Sequence, residues 1–166
     1  MLSKMEERKK SGQGDKDRYI IINFGVNQAL SNFALESVAK NVADFSIPDV
    51  RGNQLMDQCI NGECGRDFFH EHKFCDLDRL SQKVEESLVK RTEWKIGVKK
   101  SFDAGKYICN FTYFKSQETC RQVLSEYPGM KENDVQALFV HVPDFSSVGS
   151  EDQREFALEL MKQLGA

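Results

Sequence analysis

Short apolar runs alternate with amphipathic stretches along this chain. The run RYIIINFG at 18–25 is rich in β-branched residues and ends in glycine, and ALFVHVP at 137–143 stops at a proline. Both patterns predict strands that are buried on both faces, as in a parallel sheet. EWKIGVKKS at 93–101 predicts a further strand.

Three segments have helical character. Residues 76–91 form an amphipathic pattern with charges on the outer faces. The apolar positions at helical spacing in it are Leu77, Leu80, Val84 and Leu88. Residues 103–124 predict a turn followed by a helix, and residues 150–165 predict a helix that ends at Gly165.

The remaining segments are less regular. Residues 27–41 have moderate helical or loop character, and 42–55, with a proline, an aspartate and a glycine, predict a loop or an irregular hairpin. Residues 59–75 have no clean period. The charged residues 1–17 fit either the tail of a helix followed by a turn or a disordered segment. We expect one α/β domain over 18–166, with helices layered around a largely parallel sheet.

Composition narrows the class of protein. The 166 residues, 40% hydrophobic and 30% charged, suit one globular domain with a real core. A net charge of −3 gives no reason to expect a nucleic-acid partner. No apolar run approaches the ~20 residues that span a membrane, and the N-terminus has no apolar core for a signal peptide, so we expect a cytosolic protein without a membrane partner.

The cysteine count predicts free thiols. The chain has five cysteines, an odd number, and no secretion signal precedes them. They are Cys59, Cys64, Cys75, Cys109 and Cys120.

A cysteine, a histidine and a carboxylate fall at or near predicted strand ends, where sites of open α/β sheets gather. Cys109 lies in the first turns of a helix, where a thiolate is favoured, and the imidazole of His141 can protonate a leaving amine. Glu36 can orient that imidazole and stabilise its charged form. The alternative is ordinary structure: a buried small thiol, a satisfied strand-end histidine and a solvated carboxylate.

Three segments carry a family resemblance. SFDAGKYICNFTYF at 101–114 and ALFVHVP at 137–143 closely resemble the cysteine and histidine motifs of pyroglutamyl-peptidase I. LESVAKNVADFSIPDVRGNQ at 35–54 resembles the glutamate region of that family. These enzymes are cytosolic cysteine peptidases that remove an N-terminal pyroglutamyl residue. The three segments occur in the family's order, across residues of about 18 to 162.

The resemblance implies a role for each residue. Cys109 is then the nucleophile and the oxyanion donor through its N–H, His141 the acid/base and Glu36 the orienting carboxylate. Positions that line the family's pyroglutamyl pocket correspond here to Ile47, Tyr107 and Ile108. The implied fold is a three-layer α/β/α sandwich with a twisted, mostly parallel sheet. The implied partners are peptides with an N-terminal pyroglutamate and further copies of the chain, since the family often forms oligomers. No cofactor or metal is implied.

The sequence departs from the family in two places. A first strand that ends in Gly-Phe-x-Pro-Phe is missing, and with it the phenylalanines that sandwich the pyroglutamyl ring. Ser46 stands where bacterial members carry an arginine. We therefore keep a second hypothesis, a truncated and inactive relative, either a pseudoenzyme or a short isoform, with a binding role.

A Cys/His cluster in the irregular segment suggests a third class. Its spacing, C-x5-H-x-H-x2-C, is not a familiar zinc pattern. The alternatives are a metal-binding module and a loop with incidental ligand-type residues. The cluster comprises Cys64, His70, His72 and Cys75.

Overall fold

The computed structural model of the protein describes residues 18–91 and 93–165, so the charged segment predicted at 1–17 lies outside the described residues. The strands are β1 (Tyr19–Val26), β2 (Phe33–Glu36), β3 (Val38–Lys40), β4 (Phe69–Glu71), β5 (Val98–Ser101) and β6 (Val135–Val142). The helices are α1 (Leu77–Arg91), α2 (Ile108–Glu126) and α3 (Ser150–Leu164), with a short 3₁₀ turn, Glu132–Asp134, before β6.

Four of the described strands form one sheet in the order β1-β6-β2-β5. The pairs β1–β6 and β2–β5 are parallel, whereas β2 and β6 are antiparallel. Strands β3 and β4 form a separate antiparallel pair. The predicted α/β class with a mostly parallel sheet is confirmed.

Alternating side chains divide the sheet into two faces. From β2, Phe33 and Leu35 point into a core shared with α1 and α3. From β6, Ala137 and Phe139 point the other way, into smaller clusters with residues of α2. The helices therefore cover both faces, and the predicted three-layer arrangement is confirmed.

The three predicted helices are present. The periodic leucines and valine of α1 are buried, as their spacing indicates. Gly165 ends α3 in the left-handed region, with φ of 80°, and its N–H donates to carbonyl oxygens of the last turn. No helix in the described ranges is long and apolar enough to cross a bilayer.

Two expectations about strands were wrong. Residues 27–41, for which helical or loop character was expected, contain β2 and β3, because alternate residues of β2 fill the core and tertiary packing overrides local propensity. The run 18–25 forms β1, but it is not buried on both faces. Phe24 and Val26 are 46% and 52% exposed, because β1 is an edge strand of the described sheet. By contrast, β6 is central and every residue in it is buried.

Candidate active site

Two buried side chains form an ion pair between neighbouring strands. His141 Nδ1 lies 2.7 Å from Glu36 Oε1, and the two side chains are 5% and 1% exposed. In the antiparallel register Ala34 lies opposite His141, and Glu36 lies opposite Phe139. The pair is therefore diagonal, two positions apart on one face of the sheet, within reach of long side chains.

Glu36 and His141 each lie at or next to the carboxyl end of a strand, β2 and β6 respectively. Strand β2 runs antiparallel to β6, so their carboxyl ends point in opposite directions. The carboxylate meets the imidazole because β2 is short and pairs near the end of β6. Cross-strand register, not a shared sheet edge, brings these two residues together.

Cys109 approaches the same face from α2. A Cβ added at Gly25 would lie 3.0 Å from its Sγ, so the thiol sits close against the main chain of β1. Gly25 is paired with His141 in the β1–β6 register. Cys109 is also close enough to His141 to raise the pKa of the imidazole. The thiol, the imidazole and the carboxylate therefore form one connected group.

The electrostatics favour a charged imidazole. Burial lowers the pKa of His141, but hydrogen bonds to Cys109 and Glu36 outweigh it and raise the pKa to about 9. The carboxylate of Glu36 directs one oxygen at His141, and the second oxygen is buried without a hydrogen bond from any described residue. An imidazolium beside a thiol favours the thiolate, which is the nucleophilic form of cysteine.

The start of α2 leaves main-chain donors available. Tyr107 is the N-cap residue and its side chain makes no capping hydrogen bond. The first N–H groups of a helix have no partner within it, and Cys109 is the second residue of α2. Its N–H is thus a donor beside its own thiol.

The three predicted pocket residues lie around this helix start. The Tyr107 hydroxyl donates to the carbonyl oxygen of Pro48 at 3.3 Å, which joins the helix start to the loop that holds Ile47. The ring of Phe45 packs edge-on against Tyr107 at 4.9 Å. Ile47 and Ile108 are 60% and 37% exposed, so both present apolar surface to solvent. Ser46, where bacterial relatives have an arginine by resemblance, is exposed in the same loop.

Comparison with known proteins is consistent with these motifs. A sequence model of the pyroglutamyl peptidase family matches residues 4–161. The chain belongs to this family. It is 27% identical over 124 residues to the pyrrolidone-carboxylate peptidase of Thermococcus litoralis, which covers 75% of this chain. It spans only 48% of the length of that relative.

Solved structures of this family have a similar fold. The Thermococcus litoralis pyrrolidone carboxyl peptidase superposes with a TM-score of 0.63 at 23% identity, over 87% of this chain and 64% of that one. The pyroglutamyl peptidase I of Bacillus amyloliquefaciens gives 0.64 at 20% identity, over 96% and 70%. At this identity the likeness establishes the fold.

The side chains of the Cys/His cluster do not come together as a set of metal ligands. The ring of His70 packs at a tilt against that of Phe114, with centroids 4.5 Å apart, and His72 Nε2 lies 3.5 Å from Cys75 Sγ. Burial lowers the pKa of each histidine to about 4. Within the described ranges, no three His, Cys, Asp or Glu side chains are grouped to hold a metal ion. All five cysteines are free, which confirms the prediction of free thiols.

Sequence reasoning missed three residues that shape the site. Asn110 and Tyr113 are polar residues on the buried face of α2, and Gly25 lies where a side chain would collide with Phe139 and Cys109. A glycine inside a strand pattern is a known sign of close approach, so Gly25 carried a usable signal. The polar residues carried none, because their partners are main-chain groups distant in sequence.

Proposed function

We propose that this protein is a cysteine exopeptidase that hydrolyses the bond after an N-terminal pyroglutamyl residue. The main support is the buried ion pair between His141 Nδ1 and Glu36 Oε1, which are 2.7 Å apart, beside the thiol of Cys109 at the start of a helix. Family membership supports the substrate class. The pair also argues against the alternative that these residues are ordinary structural side chains. Burial of a charged pair is energetically costly, and such pairs are concentrated at functional sites.

The reaction begins with attack by the thiolate of Cys109 on the carbonyl carbon of the pyroglutamyl residue. Negative charge moves to the carbonyl oxygen, where the N–H of Cys109 donates a hydrogen bond. The imidazolium of His141 gives its proton to the leaving amine as the C–N bond breaks, which leaves a thioester. Water then attacks the thioester, with His141 as the base, and pyroglutamate and the free thiolate are released.

The lactam ring would lie against the apolar surface at the helix start. Ile47, Tyr107 and Ile108 offer a slot suited to a flat, uncharged ring. A thiol nucleophile requires reducing conditions, which fits the cytosol. No step calls for a metal or a cofactor.

The test is release of a fluorophore from a pyroglutamyl amide by the purified protein under reducing conditions. Cys109→Ala should abolish turnover, whereas Cys59→Ala, which removes an exposed thiol outside the site, should leave it intact. Absence of turnover in a folded, monodisperse preparation would overturn the proposal. The second hypothesis, an inactive relative with a binding role, would then be the better account.

A further inference from the structure

Helix α2 is joined to the strands by polar side chains as well as by apolar packing. Asn110, Tyr113 and Gln117 recur at i, i+3 and i+7, so they lie on one face of the helix. All three are buried. Buried polar groups need partners, and each of these three finds them in the main chain of a different strand region.

Two of these contacts lie away from the proposed triad. The amide of Asn110 accepts from the N–H of Lys40 at 2.9 Å and donates to the carbonyl oxygens of Lys40 and Val42. Gln117 Nε2 donates to the carbonyl oxygen of Ala137 at 3.2 Å. Both contacts fix the helix over the sheet without reaching Glu36 or its pair.

The contact of Tyr113 is different because it ends on Glu36 itself. The Tyr113 hydroxyl donates to the main-chain oxygen of Glu36 at 2.9 Å. The ring is fully buried and packs against Phe139 at 6.0 Å. Tyr113 follows Cys109 by four residues, which is about one helical turn. The same helix therefore carries both the thiol and the hydroxyl that is bonded to Glu36.

We propose that Tyr113 is a positioning residue that sets the distance between Cys109 and the pair formed by Glu36 and His141. Glu36 is the last residue of a strand of four, so a contact at its carbonyl decides where the strand end sits relative to α2. Burial raises the pKa of Tyr113, and the hydroxyl therefore stays protonated as a donor. The inference rests on the proposed triad, but Tyr113 touches neither substrate nor the reacting atoms.

We therefore expect the position of α2 relative to the end of β2 to affect the reactivity of the Cys109 thiol. Small displacements between reacting groups have large effects on rate. If the strand end moves away from α2, the carboxylate supports the imidazolium less well, and the thiolate of Cys109 becomes less favourable. A residue with a purely structural role would lower stability without changing the ionisation of this thiol.

The test measures alkylation of Cys109 by iodoacetamide between pH 5 and 9, with peptide mapping to separate it from the other thiols. In Tyr113→Phe, which removes only the hydroxyl, we expect alkylation of Cys109 at pH 7 to slow about tenfold. We expect kcat on a pyroglutamyl amide to fall about tenfold with little change in KM. The alkylation readout does not need turnover, so it also works on an inactive protein.

Ser116→Ala is the matched control, because Ser116 also joins α2 to a strand, by accepting a hydrogen bond from Asn23 Nδ2 of β1 at 3.0 Å. It should leave the alkylation profile unchanged. A wild-type profile in Tyr113→Phe, or an equal change in Ser116→Ala, would overturn the inference. His141→Ala separates the two proposals, since an unchanged profile there would instead overturn the triad.

A second substitution covers the case in which Tyr113→Phe does not fold. Replacement of Tyr113 by 4-fluorophenylalanine keeps the ring and fills the position of the hydroxyl with a group that cannot donate. We expect a change in the same direction as for phenylalanine. An unchanged alkylation profile in this variant would also overturn the inference.

Discussion

Replacement of Glu36 by glutamine isolates the charge of the carboxylate. Glutamine has nearly the same shape and keeps an oxygen that can accept the hydrogen bond from His141 Nδ1, but it carries no charge. Glu36 and His141 are both buried, so water gives little compensation for the lost charge. The variant therefore tests whether the carboxylate acts by holding the imidazole in its protonated form.

The size of the effect follows from the titration of His141. With a pKa of about 9, roughly 97% of the imidazole is protonated at pH 7.5. Without Glu36, only Cys109 opposes the effect of burial, so the pKa of His141 falls and a smaller fraction of the imidazole is protonated at pH 7.5. The lost charge and the looser orientation of the ring act together, so we expect kcat/KM to fall about a hundredfold.

The assay is hydrolysis of a fluorogenic pyroglutamyl amide between pH 5.5 and 9.5, with alkylation of Cys109 followed in parallel. In the variant, the alkaline limb of the rate profile should move from near pH 9 towards 6.5. The matched control is Glu159→Gln, because Glu159 is also a buried carboxylate but lies on α3, on the other face of the sheet. A hundredfold loss in both variants, or in neither, would refute the reasoning.

The same variant has a signature in stability. A group whose pKa is raised by folding contributes stability that is fully present below its unfolded pKa and lost as the pH rises through its folded pKa. For His141 the contribution is present below about pH 6.5 and disappears through about pH 9. Glu36 supplies part of this contribution and Cys109 the rest, so urea unfolding should separate Glu36→Gln from wild type at pH 6 and bring the two closer together above pH 9.

Two further predictions concern packing around the site. Gly25→Ala forces Cys109 Sγ away from a Cβ that would lie at 3.0 Å, so alkylation and turnover should each slow about tenfold, whereas Gly129→Ala, in open space, should be neutral; equal rates in the two variants would contradict this. His70, with a pKa lowered to about 4 by burial, must take up a proton in the unfolded state between about pH 6.5 and 4, so stability falls with acid by about 2–3 kcal/mol at pH 4.5. His70→Phe, which keeps a ring against Phe114, should flatten the pH dependence of the urea midpoint over this range, and an unchanged slope would exclude His70 as its source.

The elements with a strong period could be predicted from the sequence, and those without one could not. Helix α1 shows its apolar stripe in the residues themselves, and β6 is a short apolar run that ends at a proline. Residues 27–41 have no such signal, because β2 is only four residues long and its identity as a strand comes from neighbours on both sides. The burial of β1 was overestimated for a related reason, since an apolar run does not reveal whether a strand is central or at an edge.

The site shows the same division between local and non-local information. Motif resemblance singled out Glu36, Cys109 and His141, but the sequence did not reveal how Glu36 meets His141. Its carboxylate reaches His141 through a diagonal across an antiparallel pair, a relation set by register between residues 105 positions apart. Register depends on which side chains each strand buries, and for β2 these are Phe33 and Leu35, which face the core opposite the site. Moving β2 by one residue would exchange its two faces and carry Glu36 into that core. The packing of two apolar residues on the far face of the sheet therefore determines whether the carboxylate can meet the imidazole, and for this reason the proposed triad and the hydrophobic core of this protein cannot vary independently.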